Sequence, residues 1–224
     1  MHLVILPGWE HGADSWRQFV DQFGAERATV VELPGFGKER LVDPRWGVPE
    51  YAEWAKQKIE LLQKDGVVLL GHSFGGRVAA VIASERPAWL KGLILYGAPC
   101  LYRPRPVVKF KMAIARLVRI LGLAPHLRKY FGNPDLIEAD ENGKGGIFRR
   151  VVSFDQTNAL PSIAVPTLLV WGERDTEAPI AIGREMKDLI PRAALSILPG
   201  VGHNAHIETP HLFYGLVTRF TENL

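Results

Sequence analysis

A serine at a strand-to-helix junction is the first residue whose setting suggests chemistry. The stretch VVLLGHSFGGRVAA, which begins at Val67, changes at Ser73 from a short apolar run to a helix-like run of small and apolar residues. The backbone must turn there within about one residue, which predicts a strained conformation. Gly71 and Gly75 lack the Cβ atoms that would clash in such a turn. The pattern Gly-His-Ser-Phe-Gly fits the G-x-S-x-G arrangement that exposes a nucleophilic serine.

A serine hydroxyl is a poor nucleophile at neutral pH, so it needs a base, and the base needs an orienting acid. Two later segments supply both groups: Asp175 follows the strand-like run TLLVWGERD, and His203 follows ALSILPGVGH. The carboxyl ends of parallel strands meet at one edge of a sheet. We therefore predict Ser73 as nucleophile, His203 as general base, and Asp175 as the acid that holds the imidazole tautomer.

Neighbouring residues offer alternatives to this assignment. Glu173 and Glu177 are rivals for the acid, and His206 is expected to be structural or to line a pocket. His72 is predicted to be a packing residue that points away from the neighbours of the serine. Cys100 is expected to be a small buried residue, because no patterned base accompanies it. No histidine, cysteine or carboxylate set has metal-ligand spacing, so neither a metal nor another cofactor is expected.

Alternating strand and helix patterns must position these residues. Six apolar runs are strand-like, namely HLVILPG, ATVVELPG, GVVLLGHS, LKGLILYGA, TLLVWGE and ALSILPG. Helical patterns cover Ser15–Phe23, Pro49–Lys64, the segment after Ser73, Ala181–Ile190 and Pro210–Phe220. This alternation predicts an α/β fold, a mostly parallel sheet of about six strands with helices on both faces.

The interval 99–164 breaks the rhythm and predicts a helical cap, inserted into a core formed by residues 1–98 and 165–224. The segment Leu101–Pro134 contains basic residues and no acidic residue. At helical spacing most of its basic and apolar side chains fall on opposite faces, although Lys111 breaks the pattern. The basic face carries Arg105, Lys109, Arg116 and Arg119, and the apolar face includes Ile114 and Leu117.

We expect Ile114 and Leu117 to line the substrate pocket and the basic face to lie in water. The alternative for the basic face is attraction of anionic substrates or of an anionic membrane surface.

Several segments together resemble the α/β-hydrolase superfamily, in its small-cap, esterase-like branch. They are LPGWEHGADSW, ELPGFGKER, GHSFGG, WGERD and GHNAHIETP, and the likeness covers residues 1–98 and 166–224. Pro7 and Gly8 stand where the family usually has His-Gly, so this loop lacks the usual imidazole, and Pro7 cannot donate a backbone N–H. The resemblance implies that the backbone N–H groups of Trp9 and Phe74 form the oxyanion hole.

The resemblance and the acyl-transfer chemistry favour a serine hydrolase of carboxylic esters with small to medium acyl chains. A lactonase or an acyl-thioesterase would use the same residues. A carbon–carbon bond hydrolase and a non-catalytic ligand receptor of the same fold remain open.

Composition limits the other classes of protein. The chain has 224 residues, 47% of them hydrophobic, and a formal net charge of +3, which is too small to predict a nucleic-acid partner. Its single cysteine permits no intrachain disulfide. The N-terminal MHLVILPGWE lacks a basic segment and a long apolar stretch, and no run approaches the roughly 18 apolar residues of a membrane span. The expected location is cytoplasmic, and the sequence predicts no oligomeric state.

Overall fold

The computed structural model describes residues 1–40, 43–103 and 139–224. Its centre is a six-stranded sheet in the order β2-β1-β3-β4-β5-β6, in which every neighbouring pair is parallel. The strands are β1 (His2–Leu6), β2 (Ala28–Val30), β3 (Val67–His72), β4 (Leu90–Tyr96), β5 (Thr167–Gly172) and β6 (Ala193–Leu198). The predicted α/β fold and all six predicted strands are confirmed.

The central strands are buried on both faces, because alternate side chains enter two separate hydrophobic clusters. On β1, Val4 and Leu6 pack into one cluster, whereas Leu3 and Ile5 pack into the other. Burial of each such side chain contributes about 1.5 to 3 kcal/mol to folding. This double burial explains why the strands read as continuous apolar runs in the sequence.

Helices cover both faces of the sheet. They are α1 (Arg17–Phe23), α2 (Val48–Glu60), α3 (Phe74–Ser84), α4 (Gly145–Ser153), α5 (Ile180–Leu189), α6 (Ala205–Glu208) and α7 (Pro210–Glu222). Helices α2, α3 and α5 pack into the cluster that contains Val4, and α1 and α7 pack into the opposite cluster. No helix in the described ranges is long and apolar enough to cross a lipid bilayer.

The helix boundaries differ from the predictions by a few residues. Helix α2 ends at Glu60, whereas the apolar pattern extended to Lys64. Gln63 has a φ of 51°, a left-handed conformation that a right-handed helix cannot contain. Four-residue α6 was not predicted, because so short a segment shows no helical period.

The described part of the interval 99–164 contains helix α4 and a 3-10 turn at Leu160–Ser162, and these described residues form no strand. Ile147 and Val151 of α4 are buried in the cluster that also contains α2 and α3. Arg150 adds a hydrogen bond of 3.1 Å from Nε to the carbonyl oxygen of Trp46. Helix α4 is therefore packed on the core, and the division into core and cap stays a prediction.

The strand order brings the first and third strand ends together. From β1 the chain passes to β2 on one side, and the next strand, β3, pairs with β1 on the other side. The loops that follow β1 and β3 therefore face each other at a topological switch point, where α/β sheets form their ligand sites. These loops contain Trp9 and Ser73.

Candidate active site

Ser73 lies in the strained turn that the sequence predicted. Its φ of 49° and ψ of −110° fall outside the ordinary regions for a residue with a side chain. Helix α3 begins at the next residue, and the N–H groups of Gly76 and Arg77 donate to the carbonyl oxygen of Ser73. A Cβ atom at Gly75 would lie 2.1 Å from the carbonyl oxygen of Leu6, so only glycine fits there. The strained turn is therefore stabilised by these backbone hydrogen bonds and by the close packing of Gly75 against β1.

Asp175 and His203 meet beside this turn. Nδ1 of His203 lies 2.7 Å from Oδ2 of Asp175, and both side chains are buried. The other carboxylate oxygen, Oδ1, accepts the backbone N–H groups of Glu177 at 2.9 Å and Ala178 at 2.8 Å. These bonds fix the orientation of the carboxylate. Because a carboxylate oxygen can only accept a hydrogen bond, Nδ1 of His203 must carry the proton. The lone pair of His203 is then on Nε2.

The electrostatic setting makes His203 a stronger base than an ordinary histidine. Burial lowers its pKa, but the hydrogen bond and the charge of Asp175, with a smaller contribution from Glu177, outweigh this effect and raise the pKa above its usual value. Nε2 is buried and makes no hydrogen bond within the described parts of the chain. The geometry thus leaves an imidazole nitrogen able to accept a proton.

The two rival acids are placed differently from Asp175. Glu173 accepts the backbone N–H of Gly200 at 2.8 Å, away from the histidine. Glu177 has a carboxylate oxygen 3.4 Å from Nε2 of His203, on the side of the ring opposite to Asp175. Its side chain is 59% exposed. Of these three acids, only Asp175 is positioned to orient the ring through Nδ1.

A small cavity joins these residues to the predicted oxyanion loop. It measures about 50 Å³, and its lining includes Trp9, Ser73, Glu177 and His203. A larger cavity of about 790 Å³ lies at the opposite edge of the sheet, beside Gly66 and other residues that precede the strands. The smaller cavity is the candidate active site, because Ser73 and His203 line it and neither lines the larger one.

Trp9 lines the same cavity as Ser73, and Phe74 is the next residue in the chain after Ser73. Phe74 is the first residue of α3, and the first N–H groups of a helix have no acceptor within it. The indole of Trp9 makes edge contacts with the rings of Phe36 at 4.6 Å, Phe74 at 5.7 Å and Phe148 at 5.1 Å between centroids. Aromatic packing therefore supports the loop in which Pro7 replaces the usual histidine.

An ion pair adds a second support to this loop. Glu10, which follows Trp9, has a φ of 55°, and its carboxylate lies 2.9 Å from Nζ of Lys144. The Lys144 ammonium also lies 4.7 Å from the centroid of the Phe36 ring. The residues just before and within α4 thus contact the oxyanion loop through Lys144 and Phe148. The sequence offered no pattern from which these two contacts could be predicted.

His72 is placed differently from our prediction. Instead of pointing away from the site, it lines the cavity with Ser73, and its Nε2 lies 3.2 Å from the backbone oxygen of His203. Alternation along β3 did not reveal this, because His72 is the last strand residue and the chain turns directly after it. Burial, followed by the nearby histidines, lowers the pKa of His72 well below its usual value.

Tyr96 is a residue that sequence reasoning missed. Its hydroxyl donates to the backbone oxygen of His203 at 2.6 Å, and its ring stacks on His72 at 4.4 Å between centroids. The available signal was its position at the carboxyl end of β4, next to the strand that carries Ser73. His206 is buried as expected and stacks on Trp16 at 4.2 Å.

Cys100 is fully buried, and burial raises the pKa of its thiol to about 12, so it is no nucleophile at neutral pH. Within the described ranges, no group of three or more His, Cys, Asp or Glu residues could hold a metal ion. Ile114 and Leu117, and the basic face of the predicted cap helix, lie outside the described residues.

Comparison with known proteins gives relatives of similar length. A 2-hydroxy-6-oxononadienedioate/2-hydroxy-6-oxononatrienedioate hydrolase from Cupriavidus pinatubonensis is 28% identical, over 99% of this chain and 86% of that protein. A pimeloyl-[acyl-carrier protein] methyl ester esterase from Yersinia pseudotuberculosis is 24% identical, over 98% of this chain and 93% of that protein. Among solved structures, an esterase from Exiguobacterium antarcticum superposes with a TM-score of 0.77 at 20% identity, over 99% of this chain and 92% of that one.

The structural likeness shows the fold, and the sequence match shows the family. The profile of the alpha/beta hydrolase family matches residues 3–216, which is nearly the whole chain. The sheet order, the strained serine turn and the position of the histidine after the last strand are consistent with this match. The chain therefore belongs to the alpha/beta hydrolase family.

Proposed function

We propose that this protein hydrolyses carboxylic esters of small to medium acyl chains through an acyl-enzyme on Ser73. One observation carries the proposal. Ser73, at a strained strand-to-helix turn, shares a cavity with His203, whose Nδ1 lies 2.7 Å from a buried carboxylate oxygen of Asp175. Acyl transfer requires a nucleophile, a base and an acid that orients the base, and this geometry supports those roles for Ser73, His203 and Asp175.

The chemistry runs in two halves. Ser73 Oγ attacks the carbonyl carbon of the ester while Nε2 of His203 takes the hydroxyl proton, and that proton then passes to the departing alcohol oxygen. A water molecule, deprotonated by the same nitrogen, attacks the acyl-serine and releases the acid. The N–H groups of Trp9 and Phe74 are the proposed donors to the oxyanion, and losing one such donor typically costs about 3 kcal/mol of barrier.

The bond that is cleaved has close alternatives. Lactones and thioesters present the same carbonyl to the same residues, so lactonase and acyl-thioesterase activities are the nearest variants of the proposal. The Yersinia pseudotuberculosis relative is named as a methyl ester esterase, which supports an ester. A cytoplasmic location and the absence of a metal or other cofactor remain part of the proposal.

A second candidate is a carbon–carbon bond hydrolase. The Cupriavidus pinatubonensis relative is named for a hydroxy-oxo-dienedioate, a substrate without an ester, and it matches 99% of this chain. Its bond cleavage would need a proton at carbon, whereas an ester needs one only at the alcohol oxygen. Parallel assays on a hydroxy-oxo-dienedioate and on esters therefore separate the two candidates.

The test is turnover of p-nitrophenyl acetate and butyrate by the pure protein and by Ser73→Ala. We expect Ser73→Ala to lose at least a hundredfold in kcat, because losses of about a millionfold follow removal of such a nucleophile. Ser84→Ala, at the far end of the same helix, is the matched control and should keep full activity. A Ser73→Ala protein that is folded and retains more than a hundredth of the activity would refute the assignment.

The predicted cap has its own test. If Ile114 and Leu117 line the acyl pocket, Ile114→Trp and Leu117→Trp should shift chain-length preference across esters of rising acyl length. Labelling of Ser73 by a small organophosphate should stay unchanged. A flat chain-length preference with collapsed labelling would instead mean that this helix supports the core. No turnover of any ester, lactone, thioester or ketone substrate by the folded protein would favour a ligand receptor.

A further inference from the structure

The backbone carbonyl of His203 is the acceptor of two buried side-chain donors. The hydroxyl of Tyr96 lies 2.6 Å from this oxygen, and Nε2 of His72 lies 3.2 Å from it. Both side chains are almost completely buried, as is the ring of His203. A buried loop carbonyl must pair with a backbone N–H, a side-chain donor or an ordered water molecule. Here two strands of the sheet bind it directly.

The two donors are neighbours in the sheet. Tyr96 ends β4 and His72 ends β3, and these two residues are paired across the parallel strands. Their rings stack at 4.4 Å between centroids with an interplanar angle of 22°. His72 also directly precedes Ser73 in the chain. A change in the position of the His203 carbonyl would therefore have to move the strand end that carries the nucleophile.

The position of the proton on each donor fixes the direction of the two hydrogen bonds to the His203 carbonyl. Burial keeps His72 neutral, since it lowers the pKa of this imidazole. A carbonyl oxygen can only accept, so His72 must carry its proton on Nε2. Its Nδ1 is then a bare nitrogen, and it is buried without a hydrogen bond among the residues that the structure describes.

The hydroxyl of Tyr96 is fixed in the same way. Its one proton is directed to the His203 oxygen, so its other neighbours can only donate to it. Nδ1 of His206 lies 3.4 Å from this hydroxyl oxygen. His206 must therefore carry its proton on Nδ1, and its Nε2 is buried without a hydrogen bond among the described residues.

We propose that Tyr96 and His72 are positioning residues that hold the catalytic-histidine loop through the His203 carbonyl, and so set the distance from Nε2 to Ser73. This inference rests on the proposed function of Ser73 and His203. It adds that the base is held at two points, by Asp175 at its ring and by two strand ends at its backbone.

The experiment compares Tyr96→Phe with Tyr51→Phe. Tyr51 is the matched control, because it is another buried tyrosine whose hydroxyl donates to a backbone carbonyl, that of Pro34 at 3.0 Å. Each variant loses one buried hydroxyl and keeps the ring. We expect Tyr96→Phe to lower kcat about tenfold with KM unchanged, and Tyr51→Phe to leave kcat within about twofold of the parent enzyme.

A purely structural role of Tyr96 would give equal losses of stability and equal kcat values in the two variants, and that result would overturn the proposal. A conservative pair at the other donor adds a check. His72→Gln can still present an N–H near the carbonyl and should retain more turnover than His72→Met, which cannot. Equal turnover in these two variants would remove His72 from the proposal.

Proton NMR provides a readout that needs no turnover. The Nδ1 proton of His203, which is hydrogen-bonded to Asp175, should give a far-downfield resonance that moves in Tyr96→Phe and not in Tyr51→Phe. Nitrogen-15 shifts should show the Nε2–H tautomer for His72 and the Nδ1–H tautomer for His206. If the parent protein hydrolysed no ester, the proposed function would fail, whereas an unchanged His203 resonance in Tyr96→Phe would refute the positioning role alone.

Discussion

Asp175→Asn is the substitution whose effect can be worked out most fully from the contacts at the site. In the native protein Oδ1 accepts two backbone N–H groups, from Glu177 and Ala178, and Oδ2 faces Nδ1 of His203 at 2.7 Å. An asparagine has only one oxygen, and the two N–H donors require it at the Oδ1 position. The amide NH₂ must then face His203, so both hydrogen-bonded groups would be donors unless the imidazole changes tautomer.

The imidazole of the variant should therefore carry its proton on Nε2, the nitrogen that accepts the proton of Ser73 in the proposed mechanism. This inversion explains why the same substitution in a serine-protease triad costs about 10⁴ in kcat, equivalent to about 5 kcal/mol of barrier. We expect a loss of this order here. The two backbone hydrogen bonds survive, so the free energy of unfolding should fall by less than about 2 kcal/mol.

The assay is kcat for p-nitrophenyl butyrate, measured beside urea unfolding of the same samples. Glu173→Gln is the matched control, because it neutralises another carboxylate of the loop after β5, one that accepts the backbone N–H of Gly200 and does not contact the imidazole. It should keep kcat within about threefold of the parent value. A loss smaller than tenfold in Asp175→Asn, or a larger loss in Glu173→Gln, would show that the tautomer argument is wrong.

Other outcomes follow from the same contacts. Because the pKa of His203 is raised, kcat/KM should rise with pH through a midpoint above about 6.5, and Glu177→Gln should lower that midpoint in a pH–rate profile; a midpoint below 6.5 would contradict the geometry. Gly75→Ala should destabilise the fold by about 3 kcal/mol or more in urea, because the new Cβ would lie 2.1 Å from a carbonyl oxygen of β1. Gly215→Ala in helix α7 should instead stabilise the fold by up to about 1 kcal/mol, because nothing lies within 4 Å of its Cβ. Burial lowers the pKa of His206 to about 3, so on acidification the unfolded chain binds a proton at this histidine before the folded chain does. The free energy of unfolding should therefore fall as the pH drops from about 6.5 toward 3. His206→Asn should reduce the slope of this decrease by up to about 1.4 kcal/mol per pH unit, and an unchanged slope in acid titrations of the unfolding midpoint would exclude His206 as its cause.

Local patterns in the sequence were sufficient for the strands and for the candidate residues. Apolar runs such as Val67–Leu70 predicted buried strands, because a parallel strand covered on both faces admits no polar alternation. The change of period at Ser73 predicted the strained turn, because strand and helix backbones cannot join in one residue without an unusual φ. Both are local effects, and each depends only on residues adjacent in the chain.

Helix ends were less predictable, since the apolar period is a property of a face and not of a boundary. Helix α2 has a continuing apolar pattern after Glu60, but Leu61 is exposed and Gln63 adopts a left-handed conformation. Leu62, between them, still packs against the core, so the apolar period gives no sign of the left-handed turn that follows the helix.

Only the tertiary structure decided which groups meet at the site. Asp175, Glu173 and Glu177 lie within five residues of one another. Of the three, the fold of their loop turns only Asp175 toward Nδ1 of His203. The hydrogen bonds from Tyr96 and His72 to one carbonyl join residues that are 107 and 131 positions from His203. No local pattern encodes such contacts, because they exist only after the strand order has placed β3 and β4 side by side and brought the last strand's loop over their ends. The sequence by itself thus determined the strands, the turn at Ser73 and the candidate residues, whereas the partner of each group was decided by the packing of distant strand ends.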